Sequence, residues 1–247
     1  MNNEFKQRLA VVTGASSGIG LAVCEQLLER GARVLAMSRS LGELALLLQR
    51  YPQHLHWLEG DVTREASLHA LAARAAELGE VHYLVPNAGI ARLAPGSDLQ
   101  AFEAQWRVNG AGAVNTFYAL KAQLAQPASV VFISTFLRQL GFVGLGAYIA
   151  SKAALSALVR SLALEHAGEG VRLNLVSPGP TATPIWNSLG LPDEALAGVA
   201  SEVNARLVDG EFLSAAAVAE VVLFQLSQGA RGVYGQDWVV DKGYTLR

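Results

Sequence analysis

The sequence predicts a single α/β domain, a doubly wound parallel sheet with helices on both faces. Three observations carry that expectation. Short apolar runs alternate with longer helical patterns along the whole chain. The runs are continuously apolar, as strands covered on both faces must be. The 247 residues contain no repeat, low-complexity tract or linker, and that length suits one sizeable core.

Taken in order, residues 9–12, 34–37, 55–58, 81–85, 130–133 and 173–176 read as buried strands, and 236–240 as the last. Helical patterns fill 20–30, 66–78, 102–124 and 147–166. Gly31 stands where a glycine would end the first helix. Asp98 and Ser214 carry side-chain oxygens suited to capping later helices. The stretch 181–210 breaks the alternation, with Pro184, Gly190 and Pro192 set among Ile185, Trp186 and Leu189. An insertion of this kind predicts a functional loop or lid. A packed pair of surface helices is the plainer alternative.

Composition narrows the function. Hydrophobic residues make up 51% and charged residues 16%, which excludes a disordered or fibrous chain. The net charge is −2 and both signs are dispersed, so neither a nucleic-acid stripe nor an acidic tail is present. The single cysteine, Cys24, forms no internal disulfide, metal knuckle or redox pair, and is expected as a small core residue. No metal site is expected. Residues 1–8 are polar and lack a signal-peptide core, and the apolar run 44–48 falls far short of the ~18 residues that span a bilayer. The expectation is a cytoplasmic protein without a membrane partner.

The first apolar run leads into Thr13-Gly14-Ala15-Ser16-Ser17-Gly18-Ile19-Gly20, and a helix follows. Glycines there allow a tight turn and close approach to a pyrophosphate, which the helix N-terminus favours through its free N–H groups and dipole. A glycine triplet alone is weak evidence; its place between a strand and an amphipathic helix strengthens it. The TGxxxGxG spacing resembles the short-chain dehydrogenase/reductase family, whose fold is Rossmann-like. The resemblance continues through Asp61-Val62, Asn87-Ala88-Gly89, Asn109, Tyr148 with Lys152, Pro178-Gly179, Thr183 and Val240-Asp241-Lys242-Gly243, nearly the whole chain.

The resemblance implies a nicotinamide cofactor on Gly14, Ser16, Ser17, Gly18, Ile19 and Gly20. NAD-preferring members usually carry an acid at the end of the second strand, where this chain has Ser38 followed by Arg39. Without the carboxylate a 2′-phosphate is not repelled, and Arg39 can pair with it, so NADP(H) is the expected cofactor. Asp61 and Val62 are implied at the adenine, and Asn87, Ala88 and Gly89 at the adenosine ribose, with Pro86 in place of a common asparagine. Pro178, Gly179, Thr181 and Thr183 fall in the segment that holds the nicotinamide carboxamide in the family.

Tyr148 and Lys152 lie four residues apart in a helical pattern, so they share one face. A phenol of pKa ~10 is a poor base near neutrality. A nearby ammonium and an oxidised nicotinamide both favour the phenolate. By resemblance Tyr148 exchanges a proton with the carbonyl or alcohol oxygen, Lys152 also grips the nicotinamide ribose, and Asn109 orders a water in a proton relay. The serine that orients the carbonyl in the family corresponds to Thr135 here, while Ser134 sits one residue earlier. Adjacent strand residues face opposite ways, so only one hydroxyl serves; Thr135 is the expected one. Phe136, Phe142 and Trp186 are either substrate walls or ordinary packing. Lys242 replaces a glycine usual in the terminal motif.

These readings imply a reductase of a modest-sized ketone or aldehyde, or the reverse oxidation of an alcohol. The alternatives are a 3-oxoacyl-carrier-protein reductase, weakened by Gln126 and Glu169 where such enzymes offer arginines, and a non-catalytic nucleotide sensor. The small residues Ala150, Ala153, Ala154, Ala157 and Ser161 permit close helix approach, and by resemblance this helix pairs in a homo-oligomer, a tetramer or dimer.

Overall fold

A computed structural model describes residues 3–246; Met1, Asn2 and Arg247, part of the terminal sequence read above, lie outside the described residues. Seven parallel strands form one sheet in the order β3-β2-β1-β4-β5-β6-β7. They are β1 (Leu9–Thr13), β2 (Arg33–Ser38), β3 (Leu55–Glu59), β4 (Val81–Val85), β5 (Leu124–Ile133), β6 (Val171–Pro178) and β7 (Asp237–Val240). Residues alternate between the two faces. Ala10, Val12, Val34 and Ala36 pack with helices α1 (Gly18–Glu29) and α8 (Ala215–Leu226). Leu9, Val11, Leu35 and Met37 pack with α3 (Glu65–Leu78), α5 (Ala113–Leu120) and α6 (Gly146–Ala167). Both faces are covered, which is why the central strands read as unbroken apolar runs.

The start of the domain follows its local signals. Helix α1 ends in a reciprocal pair of backbone bonds, Gly31 N–H to Leu28 O (2.9 Å) and Ala32 N–H to Leu27 O (3.0 Å). Gly31 takes the left-handed φ of 77° that this ending requires. Cys24 is fully buried in the core, and burial pushes its thiol pKa up, so it is an inert packing residue. Asp98 and Ser214 accept from Ala101 N–H and Ala217 N–H, capping α4 (Leu99–Trp106) and α8. The run 44–48, which carried no element in the sequence reading, lies in the short helix α2 (Leu44–Arg50).

Two expectations change. The helix predicted over 102–124 is broken: α4 gives way to a π-helical turn at Arg107–Gly112, then α5, then a 3-10 turn at Lys121–Gln123. Gly110 lies against the Trp106 ring, where any Cβ would clash, and a Cβ on Gly112 would stand 2.7 Å from Val62. Both glycines of the wider turn are therefore packed too closely to carry a side chain. Strand β5 then begins at Leu124 rather than near 130. Its first half carries Pro127 and an irregular register against β4, so it lacks a clean apolar signature.

The stretch 181–210 is largely helical rather than a bare loop. It holds a 3-10 turn at Pro184–Leu189 and helix α7 (Asp193–Asn204). Its base is pinched shut: Leu213 N–H donates to Pro180 O (2.8 Å) and Ala182 N–H to Leu213 O (2.9 Å). Val203 and Leu207 bury themselves in a third apolar cluster with Phe136, Leu137, Tyr148 and Tyr244. Among the described residues one helix, α6, is long and apolar enough to cross a membrane by length and composition. Half of that window is buried, with Leu155, Val159 and Leu162 in the core.

Candidate active site

Strand order reverses between β1 and β4, so the chain leaves these neighbours toward opposite faces and opens a crevice at their carboxyl ends. The crevice is lined first by glycine. Gly14 has φ 65°, and a Cβ there would lie 2.7 Å from Ala88 Cα. A Cβ on Gly20 would clash with the Gly14 carbonyl, and one on Gly18 (φ 56°) would meet Thr183 at 3.0 Å. The Asn87 amide donates to Thr13 O (3.0 Å) and Gly14 O (3.1 Å), and the N–H groups of Asn87 and Ala88 donate to Thr13 Oγ1. Asn87 and Ala88 therefore fix the glycine turn. Ser17 caps α1 without a side-chain hydrogen bond, which leaves the first N–H groups of that helix for an anion. This cradle, which a single methyl would fill, fits a dinucleotide pyrophosphate.

Past the cradle, Val62 is buried and Arg39 is exposed. Asp61 Oδ1 accepts from Thr63 N–H and Oγ1, both at 2.8 Å. Burial would raise the Asp61 pKa, but the Thr63 bonds and the charges of Arg39 and Arg64 bring it below the usual carboxylate range. Ser38 ends β2 beside Arg39. Its buried hydroxyl donates to Ser40 O (2.7 Å) and accepts from Trp57 Nε1 (3.0 Å), so it is engaged within the chain.

At the other end of the crevice, α6 carries Tyr148 and Lys152 a turn apart beside the end of β5, and both are buried. The Thr135 side chain lies near enough to Tyr148 to act on its phenol, and its Oγ1 accepts from Leu137 N–H at 3.3 Å. Ser134 points elsewhere: its hydroxyl meets Ser156 Oγ at 2.7 Å and the Lys152 carbonyl at 3.4 Å. The two hydroxyls thus face different neighbours, Ser134 toward the backbone and Ser156 of α6 and Thr135 toward Leu137 N–H. Burial raises the Tyr148 pKa, and the Thr135 side chain only partly opposes it. Within the chain alone, then, burial keeps the phenol protonated. The Lys152 ammonium is directed to the Ile133 carbonyl (2.6 Å), and burial pushes its pKa down to about 8.

Asn109 sits in the π-helical turn, fully buried. Its side chain does not fold back on its own backbone; it clamps Ile90, accepting from Ile90 N–H (2.8 Å) and donating to Ile90 O (2.9 Å). It also donates to Ser151 Oγ (3.0 Å). The Asn109 side chain is therefore occupied. Gly89 keeps the backbone next to it bare: a Cβ there would stand 3.3 Å from Asn109 Oδ1 and 3.5 Å from Lys152 Nζ.

The segment after β6 closes the crevice. Pro178 ends the strand, and a Cβ on Gly179 would lie 2.5 Å from Asp241 Cα. Thr181 Oγ1 donates to Gly179 O (2.9 Å), and Thr183 opens the 3-10 turn facing Gly18. Beyond Tyr148, a cavity of about 230 Å³ lies between the loop after Thr135, α7 and the C-terminal turn, lined by Leu137, Leu140, Phe142, Val203, Arg206 and Tyr244. Phe136 packs edge-on against Tyr244, and Trp186 stacks on Phe212, so of the three aromatic candidates only Phe142 lines that cavity.

The chain matches the family model described as enoyl-(acyl carrier protein) reductase over residues 14–245. It belongs to the short-chain dehydrogenase/reductase family. The cis-4-hydroxycyclohexanecarboxylate dehydrogenase of Sinomonas cyclohexanicum is 36% identical, with 99% of each chain covered. The 2-(R)-hydroxypropyl-CoM dehydrogenase of Xanthobacter autotrophicus is 34% identical, over 96% of this chain and 98% of that one. A Caenorhabditis elegans short-chain dehydrogenase/reductase of unknown function, solved with cofactor, superposes with TM-score 0.91 at 25% identity, covering 98% and 97% of the two chains. Membership makes this an oxidoreductase fold for a nicotinamide cofactor.

Several supporting residues of this short-chain dehydrogenase/reductase carry no signal in the motif spacing. Ser151 links Asn109 to the Tyr148 carbonyl (2.7 Å), and its place three residues after Tyr148 on one helix face is the only hint. Ser156, Trp57 and Ser188, which donates to Ala91 O at 2.7 Å, act across distant parts of the chain and have no local pattern.

Proposed function

We propose that the chain is an NADP(H)-dependent reductase of a modest-sized, partly apolar ketone or aldehyde, or the dehydrogenase of the matching alcohol. The observation that carries this reading is the burial of Thr135, Tyr148 and Lys152 together at the end of β5, with Lys152 one turn beyond Tyr148 along α6. The nicotinamide, when bound, supplies or accepts the hydride. Tyr148 gives its proton to the carbonyl oxygen, or takes it back from the alcohol. Thr135 holds that oxygen in line with the phenol. Lys152 titrates at about 8, close enough to neutrality to return a proton to Tyr148 and to keep positive charge beside the phenolate as it forms. Asn109, through Ile90 and Ser151, holds the backbone around Tyr148, and it orders the water that links Lys152 to solvent.

Gly14, Ser16, Ser17, Gly18, Ile19 and Gly20 cradle the pyrophosphate, and Arg39 reads the 2′-phosphate, which an acid in place of the neighbouring Ser38 would repel. The 181–210 stretch serves as the substrate flap. A free substrate is favoured over an acyl carrier, because Glu169 is engaged by Lys121 (3.2 Å) and His166 (3.2 Å) and brings no arginine to the mouth. The enzyme acts in the cytoplasm as a homo-oligomer, a tetramer or dimer; the exposed small face of Ala150, Ala154, Ala157 and Ser161 on α6 supports close helix pairing. Turnover of a panel of cyclic and short-chain ketones with NADPH and with NADH tests the reading. Oxidation of NADPH in preference to NADH is expected, and no turnover of any ketone or alcohol would overturn it. Sedimentation of a stable monomer at micromolar concentration would overturn the assembly.

A further inference from the structure

Lys242 is one of two non-glycine residues with positive φ among the described residues, at 48°. The next residue, Gly243, has φ 71°, and a Cβ there would lie 2.8 Å from Val208. A tight left-handed turn therefore brings the chain after β7 against the end of the flap, and a glycine would suit position 242 better than a lysine. What the lysine adds is its side chain. The Lys242 ammonium pairs with Asp209 (2.6 Å) and donates to the Phe212 carbonyl (3.4 Å), both on the returning end of the flap. The backbone adds Val208 N–H to Lys242 O (3.1 Å).

That returning end is close to the proposed site. Val199, Val203 and Arg206 of the same segment line the 230 Å³ cavity, and Tyr244, two residues after Lys242, lines it from the other side. The Arg206 guanidinium lies 4.3 Å above the Tyr244 ring. At the departing end, Trp186 donates to Thr181 O (2.8 Å) and stacks on Phe212, whose carbonyl Lys242 holds. Thus one side chain from the C-terminal turn fastens the segment whose position sets the width of the cavity.

We propose that Lys242 is a positioning residue that clamps the returning end of the 182–212 flap through Asp209 and Phe212 and thereby sets the fit of substrate in the cavity beneath it. The clamp does not rest on which cofactor is used; its effect on substrate rests on the function proposed above. The Lys242 and Asp209 side chains are 25% and 53% exposed, so the pair contributes little to global stability. Its effect is local.

The test uses the full chain and two readouts. Lys242→Gly removes both clamp and strain, Lys242→Met removes the clamp and keeps the strained backbone, Asp209→Asn weakens the pair from the other side, and Lys242→Arg restores a cation. Hydrogen–deuterium exchange over 199–212 should quicken about ten-fold in the Gly and Met variants and less in Asp209→Asn, with the sheet unchanged. Lys242→Arg should stay near wild type. With a substrate from the ketone panel, KM should rise roughly five-fold in the Gly and Met variants while kcat stays within about two-fold. Wild-type exchange and KM in both variants would overturn the clamp, as would equal acceleration throughout the sheet. If no ketone or alcohol is turned over, the proposed function fails and the exchange result still decides the clamp.

Discussion

The two ends of the crevice are built from different materials. At the nucleotide end the walls are backbone: Gly14, Gly18 and Gly20 are bare because a methyl group at any of them would strike Ala88, Thr183 or the Gly14 carbonyl. At the substrate end the walls are buried side chains, with Thr135, Tyr148 and Lys152 each directed by a hydrogen bond or by packing across the fold. A backbone site tolerates no added atom, whereas a side-chain site tolerates changes of shape and fails when one polar atom is removed. Substitutions at the first end should act on binding, and substitutions at the second on turnover.

The sharpest break should come from Tyr148→Phe, which deletes one hydroxyl and almost no volume. Turnover is expected to fall about 10³-fold with NADPH affinity within a few-fold of wild type. Stopped-flow turnover and fluorescence titration of NADPH check it; activity close to wild type would remove Tyr148 from the chemistry. Next is Thr135→Val, which keeps the shape and loses the hydroxyl proposed to orient the carbonyl. It should cost roughly 10²–10³-fold in kcat. Ser134→Ala should stay within a few-fold, because that hydroxyl faces Ser156. A severe Ser134→Ala beside a mild Thr135→Val would reverse their roles.

Lys152 tests the same contrast through stability. Its folded pKa is depressed to about 8 from the ordinary 10.5. The cost of burying the ammonium is therefore fully present below about pH 8 and is lost as pH rises toward 10.5, where the unfolded chain holds the proton more tightly. Urea unfolding of the protein without cofactor should show the wild type gaining about 3 kcal/mol relative to Lys152→Met across that window. Parallel curves for the two proteins would show that the ammonium is not desolvated.

The smallest effect is expected where the nucleotide end does use a side chain. Arg39→Ala should weaken NADPH by about 1.5–3 kcal/mol and leave NADH almost unchanged. Equal losses would mean that Arg39 does not read the phosphate.

The same difference in materials explains what the sequence reveals. Glycines that must be bare stand at fixed spacing next to a strand and a helix, so the cradle is legible along the chain. The central strands are legible because both faces are covered. The first half of β5 is not, because Pro127 and polar neighbours interrupt it. At the π-helical turn around Asn109, Trp106 meets Gly110, a contact that helical periodicity cannot encode. The bond from Trp57 to the Ser38 hydroxyl is not legible either, since only the tertiary pairing of β2 with β3 brings them together. Lys242 is visible as a departure from pattern, but its partners lie about thirty residues upstream.

The pinch at the base of the flap bears on how such a domain can diversify. Pro180, Ala182 and Leu213 already hold the two ends of the segment together, so closing the loop does not depend on what lies between them. Doubling the length of a loop with joined ends adds only about 0.6 kcal/mol of closure entropy. The length of the stretch between 183 and 212 is thus a cheap variable, while its sequence is constrained where Thr183 faces Gly18 and where Val203 and Leu207 pack with Tyr148.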